Sequence, residues 1–481
     1  MLIDGLFLGI VAVMALLALG NWRTALIAAL VLDVARDPVR KLSEGQSSLT
    51  TIIVGGVWLA ALLGAANKEP RELRLMVRRY PQLKSSLTLL VLALTPGLLV
   101  SLVNYNHGWI LAAIGAASYA GPFVGVVLGY LWPRRVGDVY YWMKVYVLVN
   151  SVFLIGSVLE AAELNFPGLG GLKMKWIRNY GTDLITLICG FYRSPDVMGL
   201  HAAHVIIFAV LLAFRPRQKF AWSWYAIASW ASISLILCGR RKMIVIPLIF
   251  LFTHVALLTV VTGRRKLALT LSLLAIGSVA AVQLIPDGII VENEYARFAS
   301  SIASEGVERA SRSFTDIVVT TVRQSGWMGD GLGTVTQGRQ YMGVVTQGKD
   351  WQEDGVGRLF KELGIPGVAC MLLSGTMLLA ALRSGFQAIP YGHPVGRLQI
   401  GFCGVVAANL ASFAVSHQAY SGDPSTVLFV GFCVGLILGL PRPVWSEAPA
   451  TPDPAQSDDR RIVPRGHRSI PVESPYVTSV E

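Results

Sequence analysis

Charge is scarce in this 481-residue chain: 15% of its residues are Asp, Glu, Lys or Arg, while 53% are hydrophobic and the mean hydropathy is +0.56. Soluble globular chains rarely combine such values, which points away from a water-soluble domain or a disordered scaffold and towards a polytopic membrane protein. Cysteine is also scarce. Cys189, Cys238, Cys370, Cys403 and Cys433 are odd in number, scattered and without a CxxC pair, which argues against a disulfide framework and a thiolate metal site and leaves them as small core residues. Long polar stretches are few, and only one, Asp287 to Arg358, interrupts the apolar series. No basic region precedes Leu2 to Gly20, so this segment is expected to be a retained span rather than a cleaved signal.

The net charge of +12 first suggests a nucleic-acid partner, but the Lys and Arg residues lie in clusters between hydrophobic runs, the pattern that orients membrane spans. No nucleic-acid partner is expected. Crossing the hydrocarbon core takes about twenty apolar residues. Candidate spans are Leu2 to Gly20, Ala25 to Ala35 (short), Leu49 to Ala66, Ser86 to Val103, Gly108 to Leu131, Tyr140 to Leu159, Met198 to Phe214, Trp222 to Cys238, Met243 to Thr262, Leu267 to Ile285, Leu359 to Leu382, Ile400 to Val415 and Val427 to Leu440. The expected fold is therefore an all-α integral membrane protein of twelve or thirteen transmembrane helices with one large extracytoplasmic loop containing short amphipathic helices. In domain terms these are an N-terminal bundle over 1–286, the loop over 287–358, C-terminal spans over 359–440 and a Pro- and Ser-rich cytoplasmic tail over 441–481.

Alternating the spans puts the basic clusters Lys68 to Lys84, Arg134-Arg135, Arg215 to Lys219 and Arg264 to Lys266 on one side, expected to be cytoplasmic. The large loop, the connection Glu160 to Val197 and the short turns at Asn104 to His107 and His417 to Ser425 then share the outer side. One basic cluster breaks the bias. Cys238-Gly-Arg-Arg-Lys-Met243 falls on the outer side, where Arg240 and Arg241 have the fork geometry that binds phosphate oxygens in pairs; the bland alternative is that a flanking segment does not span.

Arg193, in Tyr192-Arg-Ser-Pro-Asp196, sits at the boundary of the next span, either facing the outer loops as a phosphate partner alongside Arg240, Arg241 and Arg312 or snorkelling to headgroups, and Ser194 or Asp196 is a candidate cap. His201 and His204 lie one turn apart without a carboxylate at metal-ligand spacing, so they read as a buried hydrogen-bonded pair, and no metal or other cofactor is expected. In the large loop, Arg312 to Arg323 has the apolar spacing of an amphipathic helix lying on the membrane surface or against the bundle, and Gly329, Gly331 and Gly333 form a turn where backbone approaches a ligand or simply flexes. Glu353 and Asp354 stand before the span that Arg358 opens, with Glu362 about two turns on; they are either a proton acceptor or helix caps.

In this order and spacing, four motifs resemble the O-antigen ligase and polymerase family, bacterial membrane transferases acting on undecaprenyl-diphosphate-linked glycans. They are Arg193-Ser-Pro-Asp196, the Gly239-Arg-Arg241 turn, Arg312 about twenty residues before Gly331-Leu-Gly333, and Lys361-Glu-Leu-Gly-Ile-Pro-Gly367. The resemblance implies an inner-membrane, metal-independent glycosyltransferase with its active face periplasmic and with Arg240 or Arg241 and Arg312 holding a diphosphate. It also implies a polyprenyl-diphosphate-linked oligosaccharide and an acceptor glycan as partners, together with the bilayer and other polysaccharide assembly proteins. Family ligases carry a His about nine residues before the Glu of Glu-Leu-Gly, where this chain has Glu353. Either Glu353 serves as base, or the chain is polymerase-like, or it is not catalytic; His417 and Asp423 are the secondary candidates for the missing His function. The contrasting expectation is a transporter or lipid-carrier flippase, or a non-catalytic subunit of an assembly complex. A flippase usually places charges within its spans, and this sequence concentrates its polarity in the outer loop instead.

Overall fold

A computed structural model describes residues 2–46, 49–172, 175–180, 183–215, 219–262, 314–336, 353–389, 393–421 and 423–443. The helices run in chain order: α1 (Leu2–Gly20), α2 (Trp22–Leu42), α3 (Leu49–Lys68), α4 (Pro70–Arg79), α5 (Pro81–Asn104), α6 (Gly108–Leu131), α7 (Val136–Phe153) and α8 (Ile155–Ala161). After a loop follow α9 (Pro195–Ala213), α10 (Ala221–Leu237), α11 (Arg241–Thr262), α12 (Phe314–Ser325), α13 (Gly355–Gln387), α14 (Pro394–Val415), α15 (Gln418–Ser421) and α16 (Pro424–Gly439). In the loop before α9 a small antiparallel hairpin pairs β1 (Ile177–Tyr180) with β2 (Asp183–Thr186), in the register Ile177 opposite Thr186. The all-helical membrane architecture is as the composition requires, and the hairpin is an addition that short, weakly patterned strands conceal.

Ten described helical segments are long and apolar enough to cross a membrane, and α10 is an apolar helix of 17 residues beside them. The expected span at Leu267 to Ile285 lies outside the described residues. The short candidate at Ala25 to Ala35 proves to be the 21-residue helix α2, about 32 Å long at 1.5 Å per residue. It joins the two faces of the bundle. At its start Arg23 pairs with Glu69 at 2.6 Å, and near its end Arg36 reaches Asp423 at 2.5 Å.

Those two faces sort the loops. On the first, Lys68 bonds to the Gly20 carbonyl, Arg134 joins Glu69 at 3.0 Å, Arg442 pairs with Glu72 at 2.8 Å and Arg215 stacks on Tyr140. On the second, Arg193 meets Asp37, Lys41 meets the Gly190 carbonyl, and Lys242 meets Ser416. The Gly239-Arg-Arg turn therefore shares a face with Arg193 and the large loop, opposite the other described basic clusters.

Between the faces the bundle is held by aromatic and glycine packing. Trp142, fully buried, lies 4.8 Å from Phe432, 5.5 Å from Phe429 and 5.6 Å from Phe208, ring centre to ring centre. Helices α6 and α16 cross through Gly125, Gly129, Gly431 and Gly435, the small-xxx-small spacing that lets backbones touch in lipid, where van der Waals fit replaces the hydrophobic drive. A Cβ on Gly431 would sit 2.0 Å from the Pro122 carbonyl oxygen, and one on Gly435 2.2 Å from that of Val126. We expect Gly431→Leu to force the helices apart at a cost of about 1–3 kcal/mol or more, seen as a lower melting temperature and loss of monodisperse protein in detergent. Gly5→Ala, where nothing lies within 4 Å, should melt with the wild type. Equal melting of Gly431→Leu and wild type would refute the close crossing.

Candidate functional site

The second face carries two ionic clusters set side by side. In the first, Asp423 caps the start of α16, accepting from the Ser425 amide at 3.0 Å, while its other carboxylate oxygen bridges two guanidiniums. Arg36 donates to it at 2.5 Å and Arg193 at 2.8 Å. Arg36 also donates to the Thr51 carbonyl and the Ser425 hydroxyl and pairs with Asp33, and Arg193 donates from both its backbone amide and its side chain to Asp37. Arg36 is buried and Arg193 nearly so. Burial alone would push the Asp423 carboxyl up, but the charges and hydrogen bonds of Arg36 and Arg193 outweigh it and hold the group well below the usual carboxylate range. Arg193 is thus neither a snorkelling residue nor a free phosphate ligand: two carboxylates occupy its fork.

In the second cluster the ratio is reversed. Asp196, in the first turn of α9, pairs with Lys242 at 2.8 Å and Arg240 at 3.3 Å, so two cations share one carboxylate. The capping role falls to Ser194, whose hydroxyl accepts from the Val197 amide, leaving Asp196 free for this ion pair. Lys242 also donates to Ser416 at 2.6 Å and Gln418 at 3.3 Å, the neighbours of His417, and Arg240 lies over the ring of Trp176. The His417 amide donates to the Glu353 carbonyl at 3.1 Å, and its ring pairs with Ser421 at 2.9 Å. Glu353 itself is exposed. Through this hydrogen-bond path the cation-rich cluster is tied to Glu353.

The large loop is seated by a third, buried set. Glu362 accepts from Arg358 at 3.1 Å, from Tyr119 at 2.7 Å, from the Val335 amide at 3.0 Å and from Thr336 at 3.2 Å. It is fully inside, so its part is to anchor the turn against α13 and α6 rather than to take a substrate proton. The glycines of that turn have φ of 76°, 107° and 84° at Gly329, Gly331 and Gly333, but a Cβ at Gly333 would stand 2.1 Å from the Leu111 carbonyl oxygen. Their backbone approaches helices instead of a ligand. The Lys361 to Gly367 motif receives it: the Lys361 carbonyl accepts from Asp330, Gly364 at φ 66° interrupts α13, and Ile365 donates to the Trp327 carbonyl. The amphipathic segment of the loop is present as α12, packed on α13.

Of the site residues expected from sequence, Arg193, Arg240, His417, Asp423 and Glu353 come together on one face. Asp354 caps α13 by accepting from the Gly357 amide at 2.5 Å. Arg312 lies outside the described residues, and of Arg241 only the backbone, opening α11, is described. His201 and His204 share the Tyr146 hydroxyl at 2.8 and 3.3 Å, and His204 reaches Asn409 at 3.1 Å, a buried hydrogen-bonded pair. Sequence reading missed Asp33, Arg36, Asp37 and Arg40. Their spacing of three and four residues is a helical face, and it corrects the expectation that the spans are almost free of internal charge. Lys242 was singled out only as part of the Cys238 to Met243 cluster, and Trp176 gave no signal of its own. The chain matches no protein-family model and no curated protein resembles it significantly.

Two outcomes follow from these clusters. Asp423→Asn leaves two buried guanidiniums short of countercharge, which costs about 3–5 kcal/mol. Because the folded carboxyl is held below its ordinary value near 3.9, that stabilisation is complete above about pH 4 and disappears only on further acidification. The melting gap between wild type and Asp423→Asn should stay constant from pH 9 to pH 7.5; a gap that closes within that window would remove the assignment. Arg358→Ala should melt lower than the double variant Arg358→Ala/Glu362→Gln, since the single change strands a buried charge. The reverse order would show that the pair does not anchor the turn.

Proposed function

We propose that this multi-pass protein is a bacterial inner-membrane glycan polymerase or ligase, working at the second, periplasmic face on a polyprenyl-diphosphate-linked oligosaccharide. The observation that carries the reading is the Asp196 cluster, where Arg240 and Lys242 share a single carboxylate and so keep a net positive charge at the membrane boundary. Such a site suits a diphosphate, whose oxygens accept charge-assisted hydrogen bonds from both side chains.

In the reaction, an acceptor hydroxyl attacks the anomeric carbon of the donor glycan, the bond to the phosphate oxygen breaks, and polyprenyl diphosphate departs. Arg240 and Lys242 stabilise the charge on the departing diphosphate, and Glu353 takes the acceptor's proton. Arg193 and Asp423 hold the ends of α9 and α16 in place beneath them. The polymerase branch fits better than the ligase branch, because Glu353 stands where ligases have a His.

Purified protein given a lipid-diphosphate oligosaccharide should lengthen it. Arg240→Ala should raise KM for the donor at least tenfold, and Glu353→Gln should lower kcat about a hundredfold, the ordinary scale for a lost general base. Elongation untouched by both changes would defeat the reading. A cysteine in place of Arg240 should react with an impermeant thiol reagent from the periplasmic side.

A second reading is supported by the charges on α2, since intramembrane charges are frequent in transporters. Proteoliposomes that move a labelled lipid-linked glycan across the bilayer without lengthening it would favour transport.

A further inference from the structure

The Trp176 and Arg240 side chains form a contact that the ionic clusters leave incomplete. The Arg240 guanidinium carbon lies 5.5 Å from the centre of the Trp176 ring, within cation–π range. Trp176 sits at the foot of the hairpin, its carbonyl accepting from the Leu187 amide at 2.8 Å, so its backbone is fixed just before β1. Both side chains carry a buried donor without a hydrogen-bond partner among the described residues, Nε1–H on the indole and Nε–H on the guanidinium. A buried N–H left unpaired costs about 1–3 kcal/mol, and native structures keep few of them. Two such donors on touching side chains, beside the cation-rich Asp196, mark a place built to meet oxygen atoms.

A guanidinium that spends its Nη2 on Asp196 has Nε–H left for a ligand, and an indole brings a large apolar face together with a single donor at its rim. A bare phosphate uses the first and wastes the second. A pyranose attached to a phosphate uses both: its carbon-bound face is apolar, its rim carries hydroxyl oxygens, and the phosphate is one bond away from the ring. We propose that Trp176 and Arg240 together form the subsite for the sugar directly attached to the lipid diphosphate, with Arg240 Nε–H on the glycosyl phosphate oxygen and Trp176 Nε1–H on a ring hydroxyl. This rests on the glycan-transfer reading and adds to it the residue that distinguishes a glycosylated carrier from a bare one.

The test is equilibrium binding to the full-length protein in detergent, with polyprenyl diphosphate and polyprenyl-diphosphate-hexose as separate probes. Wild type should bind the glycosylated lipid about tenfold more tightly than the bare one. Trp176→Ala should abolish that preference while leaving affinity for bare polyprenyl diphosphate within twofold of wild type. Trp176→Phe, which keeps an apolar ring and removes only the N–H, should keep part of the preference. Equal wild-type affinity for the two lipids overturns the subsite and leaves the diphosphate reading standing, whereas failure to bind either lipid overturns both. Loss of both affinities in Trp176→Ala, with both retained in Trp176→Phe, would make the tryptophan a packing residue and also overturn the subsite.

Discussion

The second face of this protein depends on one carboxylate oxygen shared by two guanidiniums. Asp423 starts α16, Arg36 belongs to α2 and Arg193 precedes α9, so the bridge fixes three helix ends to one another in a region water does not reach. An ion in that position is tolerated only when countercharge and hydrogen bonds replace its lost hydration. Thr51, Ser425, Asp33 and Asp37 supply most of that replacement. Each added contact ties another piece of chain, α3 through Thr51 among them, to the same point.

With that frame set, two clusters of similar composition take different roles. Around Asp423 the two guanidiniums are matched by Asp33, Asp37 and Asp423, so the charges of the cluster are balanced from within. Around Asp196 the balance is two cations to one, and the donors are only partly engaged. The distinction lies in stoichiometry rather than residue type. Arginine at a membrane boundary is an anchor where acids surround it and a receptor where they do not. The same logic separates the carboxylates: Glu362 and Asp354 are consumed by the turn and the helix start they hold, and Glu353 is exposed.

The Gly-rich turn and the Glu-Leu-Gly-Ile-Pro motif, more than twenty-five residues apart in sequence, are two halves of one joint. Backbone atoms of Asp330 and Ile365 are exchanged between them, and the break at Gly364 makes room for Met328. A bundle whose interior offers no water must satisfy such irregular backbone from within, which is why the turn is gripped on three sides by α5, α6 and α13.

The sequence by itself determined the membrane class, most of the helix positions and which loops share a face, because these follow from the length of apolar runs and from where Lys and Arg fall, both local quantities. The caps at Ser194 and Asp354, each read from sequence as one of two alternatives, belong to the same category. It did not determine who pairs with whom. Arg193 and Asp423 are 230 positions apart and Arg36 and Asp423 are 387 apart, so no window of sequence contains either contact. The charged face of α2 was present as a spacing, yet a short apolar run made it look like a doubtful span; only its ion pairs with Arg193 and Asp423, just ahead of α9 and α16, made that stripe the joint of the second face. The three-dimensional packing alone decided which cations are matched by carboxylates and which outnumber them, since that depends on how many carboxylates surround each one, and a chain's order does not count neighbours.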